Sequence, residues 1–95
     1  MSGWDQLVIA ARELRMSGEP LVVSIGLPYQ DGLMWLVPVR IEGAAIEGPI
    51  DETAHGNDSV EALVGALEII AAVLNSWNSD SAVTWNGETD LGFSR

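Results

Sequence analysis

His55-Gly56-Asn57-Asp58-Ser59-Val60-Glu61-Ala62-Leu63 holds the only histidine of this 95-residue chain within four residues of an aspartate and a serine. Those are the side-chain types of a hydrolytic triad. A triad, however, needs the histidine within hydrogen-bond reach of the nucleophile and a third group to orient it, an arrangement assembled from distant segments. The spacing fits a helix start better. Asp58 can accept from the Glu61 amide, and Glu61, three residues on, can reach back to the Asp58 amide, giving an acidic capping box. Two carboxylates in the first turn also complement the helix dipole. His55 then lies in the turn before the helix, and the stretch marks where a sheet half gives way to a helical half.

Downstream, residues 58–77 carry helical periodicity. Val60, Leu63, Val64, Leu67, Ile70, Ala71, Leu74 and Trp77 fall on one broad face at 100° per residue and are expected to lie across the sheet. Ala62, Ala66, Ile69 and Val73 form a second apolar stripe beside it. Roughly 220° of the circumference is apolar or small, about twice the stripe of an ordinary surface helix. Either the chain's own tail covers the excess, or a second copy does in a symmetric homodimer, small residues allowing close approach. The expected interface is Trp4, Ala62, Ala66, Ile69 and Val73.

Upstream, Leu21–Leu27 alternates as a strand with Leu21, Val23, Ile25 and Leu27 on one face. Tyr29-Gln30-Asp31-Gly32 is turn chemistry. Leu33–Ile41 follows with Leu33, Trp35, Val37, Val39 and Ile41 on one face, and Pro38 argues for a sheet edge or a bulge. Residues 45–51 read as a weaker strand interrupted by Gly48-Pro49. Residues 7–16 are ambiguous between a helix capped by Asp5 and a strand joined to the next by a tight turn. After the helix, residues 82–85 read as a short strand, and Asn86-Gly87 offers a type I′ hairpin turn.

Ile25-Gly26-Leu27-Pro28, Trp35 with Pro38, Ile41-Glu42-Gly43, Gly56-x-Asp58-Ser59-x-x-Ala62-Leu63-x-x-Ala66-Leu67-Glu68 and Leu91-Gly92-Phe93 together resemble a group of small uncharacterised bacterial domains of about this length, known only as a domain of unknown function. The chain departs from that pattern at Val37, where the group is associated with a cysteine, and in its weak fourth strand. The resemblance implies an antiparallel sheet from the N-terminal segments and makes residues 7–14 a strand. It implies no activity. The expected fold is therefore α+β, a single domain over 1–95: an antiparallel β-meander of about four strands, one long helix packed on it, and a short C-terminal strand or hairpin.

Composition narrows function by exclusion. Fourteen acidic residues against four arginines and no lysine give a formal net charge of −10. Such a surface repels phosphate backbones, so no nucleic-acid partner is expected. It suits a basic protein partner, or serves only solubility. Uninterrupted apolar runs are too short for a bilayer span and the N-terminus lacks a signal pattern, so no membrane association and a cytoplasmic location are expected. With no cysteine and one histidine, a metal site is disfavoured, although Asp51, Glu52, His55 and Asp58 are close in sequence. No cofactor is expected, since Gly26 lacks the further glycines of a nucleotide fingerprint.

Two functional classes remain. One is a non-enzymatic protein-interaction module acting as a homo-oligomer, immunity-like or inhibitory toward a basic effector. The other is a small-ligand binder or enzyme with a site between sheet and helix or at a dimer interface, built from Tyr29, Arg40, Asp51, Glu52 and His55.

Overall fold

A computed structural model describes residues 6–77, 83–88 and 90–93. The elements in chain order are β1 (Val8–Met16), β2 (Glu19–Gly26), β3 (Tyr29–Asp31), β4 (Met34–Gly43), β5 (Ile50–Gly56), α1 (Ser59–Trp77) and β6 (Val83–Thr84). All pair antiparallel in one sheet of order β3-β4-β2-β1-β6, with β5 on the other side of β4. The architecture is thus α+β, an antiparallel sheet with one helix laid on it and a short C-terminal strand.

Residues 8–16 are strand, which settles the segment whose periodicity was ambiguous. The β1–β2 hairpin closes through Ser17 (φ 52°) and Gly18 (φ 85°), between the paired Met16 and Glu19. Two left-handed residues make the turn whose twist matches the flanking strands. Asn86 (φ 52°) and Gly87 (φ 82°) repeat the device between Trp85 and Glu88, whose backbones bond reciprocally at 2.8 and 2.9 Å.

The buried face follows the strand alternation. Leu14 lies beside Leu21, Val23 beside Ile41, and Ile25 beside Val39; Val37 and Ala54 complete the layer. Ile70, Leu74, Val83 and Leu91 close over them. The opposite face holds Glu13, Arg15, Ser24, Arg40, Asp51, Thr53 and His55, and no element covers it among the described residues. A sheet packed on one side and polar on the other is the normal antiparallel solution.

Several expectations need correction. Tyr29–Asp31, read as part of a turn, is the short strand β3, and the turn is Gly32-Leu33. The strand expected over 45–51 lies later, at Ile50–Gly56, because residues 44–49 form the turn that Gly48 (φ 83°) and Pro49 permit. His55 consequently sits in β5 rather than in a turn. Pro38 lies inside a strand paired with β5 at Thr53, not at a sheet edge. On its other side β4 pairs β2 only from Val39 onward and β3 only up to Leu36, so Pro38 falls in the gap between those partners. Gly26 lines that gap: a Cβ there would stand 2.6 Å from the Pro38 ring. Leu33 lies in the β3–β4 turn and is exposed.

The largest correction concerns the helix, which is rotated from its expected setting. Ala62, Ala66, Ile70, Ala71 and Leu74 are buried, whereas Val60, Val64 and Leu67 face outward. Ala62 and Ala66 are fully covered (0% exposed), and Ile69 and Val73 are half-buried against the core, so this stripe packs on the chain's own sheet. The small residues do allow close approach, but to β5. A Cβ on Gly56 would meet the Ala62 nitrogen at 2.4 Å, and one on Gly65 would touch the Ala54 Cβ at 3.5 Å. By length and mean hydropathy (1.5) the helix is apolar enough to cross a membrane, yet it lies along the sheet. Trp4 falls outside the described residues.

The helix start is built as the sequence requires, with one change. The Glu61 amide donates to Asp58 Oδ1 at 2.7 Å. The Glu61 carboxylate accepts from the Asn57 amide at 2.7 Å, not from Asp58, so the box closes one residue earlier.

Candidate interaction surface

The ligand candidates divide between two faces. Strand alternation places Asp51, Thr53 and His55 on the open face, and Glu52 with Ala54 on the helix face. Glu52 is thereby separated from its supposed companions. Tyr29 and His55 share one row across β4, each paired with Leu36, roughly 10 Å apart by two strand spacings. Arg40 and Asp51 form another row, four residues along β4. Arg40 donates Nε to Asp51 Oδ1 at 2.6 Å and Nη2 to Oδ2 at 2.8 Å. That bidentate bond holds the Asp51 carboxyl below its usual range, against a smaller opposing effect of burial. It also raises the Arg40 guanidinium, with Glu42 adding to the field. The pair satisfies itself, and its neighbours do not converge on a common point. Among the described residues no three His, Cys, Asp or Glu side chains gather as a metal group. Asp58 is engaged by its own helix, so His55, Asp58 and Ser59 do not form a relay.

A different surface stands out. Large apolar side chains are exposed at the end of the sheet where β2 finishes and β4 begins. Leu7, Val8 and Ile9 lie at the start of β1, and Leu27 hydrogen-bonds to the Leu7 carbonyl at 2.8 Å. Tyr29, Leu33 and Met34 belong to the adjoining β3–β4 hairpin, and Val60, Val64 and Leu67 to the outward flank of α1. Each is more than a third exposed; Val8, Tyr29 and Met34 lie on the open face of the sheet and Val60, Val64 and Leu67 on the helix side, so the end of the sheet is apolar on both faces.

Two features shape this end. A recess of about 150 Å³ lies beside Leu67, with Ala10 and Ile25 in its floor and Arg12 and Phe93 at its rim. Arg12 is fixed there: its guanidinium lies 3.8 Å from the Trp85 ring centre and 4.8 Å from that of Phe93, and it donates to the Leu91 carbonyl at 2.9 Å. The second feature is the outer side of β1. β6 pairs it only at Arg15 and Met16, so among the described residues no strand pairs it from Val8 to Leu14. Glu19, Glu42 and Glu47 occupy the opposite end, around the β1–β2 turn and the β4–β5 loop.

The helical period turned Val60, Val64 and Leu67 toward the sheet, and the strand pattern did not single out Leu7, Val8, Ile9, Leu27 and Met34 as exposed. A usable signal existed: residues 6–11 are uncharged and mostly apolar, yet none is buried.

Residues 10–95 match the model of a family described as a domain of unknown function, DUF6968. No curated protein and no solved structure matches the chain.

Proposed function

The chain belongs to the DUF6968 domain family, and we propose that it is a non-enzymatic protein-interaction module that works through its apolar end. The observation that carries this reading is the concentration of exposed large apolar side chains where β1, the β3–β4 hairpin and the flank of α1 meet. Apolar surface in contact with water is unfavourable by roughly 25 cal/mol per Å², and a partner relieves that cost. The polar candidates offer less. Arg40 and Asp51 neutralise each other on an open sheet face, and Glu52 points away from them.

Charge separates the two ends only in part. Glu19, Glu42 and Glu47 lie at the far end and residues 6–12 carry no carboxylate, while Asp31, Asp58 and Glu61 border the β3–β4 hairpin and the helix start. The carboxylates keep the body dispersed. A basic effector would be drawn to the acidic end instead, which is the inhibitor-like form of the reading. Binding there weakens steeply with salt, whereas apolar association does not.

Site-specific photo-crosslinking in cells tests the proposal. A photoreactive side chain at position 9 or 64 is expected to form adducts with a defined protein, and one at the outward-facing Ala72 is not. Equal adduct yields from positions 64 and 72 would sink the reading.

A further inference from the structure

We infer that the recess beside Leu67 is a binding site for a small carboxylic acid with an apolar body of about benzene size; this goes beyond the module reading and does not depend on it. Ala10, Arg12 and Leu14 of β1 alternate onto the helix side of the sheet, beside Ile25, Val23 and Leu21 of β2. The core closes over one end of this pair, where Leu14 and Leu21 are fully buried. At the other end Ala10 stays exposed, because α1 packs chiefly on β5 and β4 and brings only Leu67 to this spot. A hollow of about 150 Å³ is left between Ala10, Val23, Ile25, Leu67 and Phe93.

Every side chain lining the recess is apolar except Arg12. Apolar cavities of about 150 Å³ take up benzene. This one is open at its rim, where a polar head stays in water and within reach of Arg12. Arg12 decides which head that is. Its guanidinium is fixed by the Trp85 and Phe93 rings and by the bond from Nη1 to the Leu91 carbonyl. Among the described residues Nε and Nη2 have no acceptor. Arg15 meets Glu13 and Arg40 meets Asp51, but Arg12 meets no carboxylate among the described residues, in a chain with fourteen acidic side chains. A guanidinium held in one orientation at an apolar rim selects a carboxylate, whose oxygens match its donors.

The net charge of −10 opposes any anion at long range. At physiological ionic strength that field is screened beyond about 8 Å, whereas contact with Arg12 is not. No carboxylate lines the recess, so none competes there for the guanidinium or repels the ligand at contact. The ligand's apolar body in turn covers Ala10 and Leu67, which are exposed without it.

Titration of the isotope-labelled full-length chain with benzoate and with phenylacetate, followed by amide chemical shifts, tests this. Saturable shifts are expected over residues 10–12, 23–25 and 67 at millimolar ligand or below. Phenylacetamide keeps the body without the charge and is expected to bind about tenfold or more weakly than phenylacetate. Phenethylamine, with the opposite charge, is expected not to bind. Ala10→Leu fills the recess from an exposed position and should abolish the shifts while leaving the circular dichroism spectrum unchanged. Ala72→Leu, on the outward side of the helix, serves as the control and keeps them. Three results each overturn the inference: no saturable shift with either acid, equal affinity for phenylacetate and phenylacetamide, or wild-type binding by a folded Ala10→Leu variant. The wild-type comparison of acid with amide decides the matter even where Ala10→Leu fails to fold. Crosslinking from positions 9 and 64 reads the interaction surface separately, so failure of one reading leaves the other standing.

Discussion

Two glycines on the helix–sheet seam should respond to the same substitution with opposite signs. At Gly56 an added Cβ would stand 2.4 Å from the Ala62 nitrogen and 2.9 Å from the Glu61 carbonyl carbon, both backbone atoms of the helix start. Neither can rotate away, so Gly56→Ala must push the first turns of α1 off β5. That displacement loosens the fully buried Ala62 and Ala66 and the Ala54 contact beneath Gly65. Overpacking of this kind costs about 1–3 kcal/mol, and a backbone clash belongs at the upper end. At roughly 4–8 °C per kcal/mol for a domain this size, the melting temperature should fall by about 10–20 °C. Gly65 differs: its added Cβ would meet Ala54 Cβ at 3.5 Å and the His55 carbonyl oxygen at 3.6 Å, ordinary contact distances. Gly65→Ala therefore gains helix propensity, about 0.5–1 kcal/mol, and should raise the melting temperature by several degrees. Thermal melts by circular dichroism at one fixed protein concentration check both, because dimerisation would make the midpoint concentration-dependent. A Gly56→Ala variant melting within about 3 °C of wild type would show that the helix does not sit as close to β5 as described.

Asp58→Ala removes the acceptor for the Glu61 amide and should cost about 1 kcal/mol, read as a lower urea midpoint with unchanged slope. Asp51→Asn removes the partner of Arg40. Because the folded-state Asp51 carboxyl titrates below its unfolded value, its contribution is present above the usual carboxylate range and is lost as pH falls through the folded value. Wild type should therefore exceed Asp51→Asn in urea midpoint at neutral pH, with the gap closing in acid; a gap that widens in acid would contradict the pairing. Arg12→Ala frees the C-terminal segment from its stack on Trp85 and Phe93 and from the bond to Leu91. A loss of about 1–3 kcal/mol is expected, with amide exchange accelerated first over residues 83–93. Arg12→Lys should recover only part of it, since an ammonium cannot stack as a planar guanidinium does.

The strands and helix were legible because the alternation of Leu21–Ile25 and Val37–Ile41 and the 3.6-residue period after Asp58 are properties of local sequence. Asn86-Gly87 was legible for the same reason, as a turn that almost dictates its own backbone. The β5 boundary was not, because Ile46 and Ile50 are equally apolar and only pairing with β4 decides which one enters the sheet. Ile50 lies opposite Ile41, whereas Ile46 is left in the turn, half-buried against the core.

The helix setting failed for a more instructive reason. Hydropathy ranks Val60, Val64 and Leu67 above Ala62, Gly65 and Ala66, so it turns the bulky flank toward the sheet. Packing ranks them the other way at this seam, because β5 brings Ala54 and Gly56 up against the helix and leaves room only for small side chains. The bulky flank is then displaced outward, with Leu67 reaching the recess it shares with Ala10, Ile25 and Phe93. The excess of apolar circumference read from the sequence is therefore real, and it lies on the opposite side of the helix from where the period alone placed it. The flank left in solvent is the one with bulky side chains, because the seam with β5 admits only small ones.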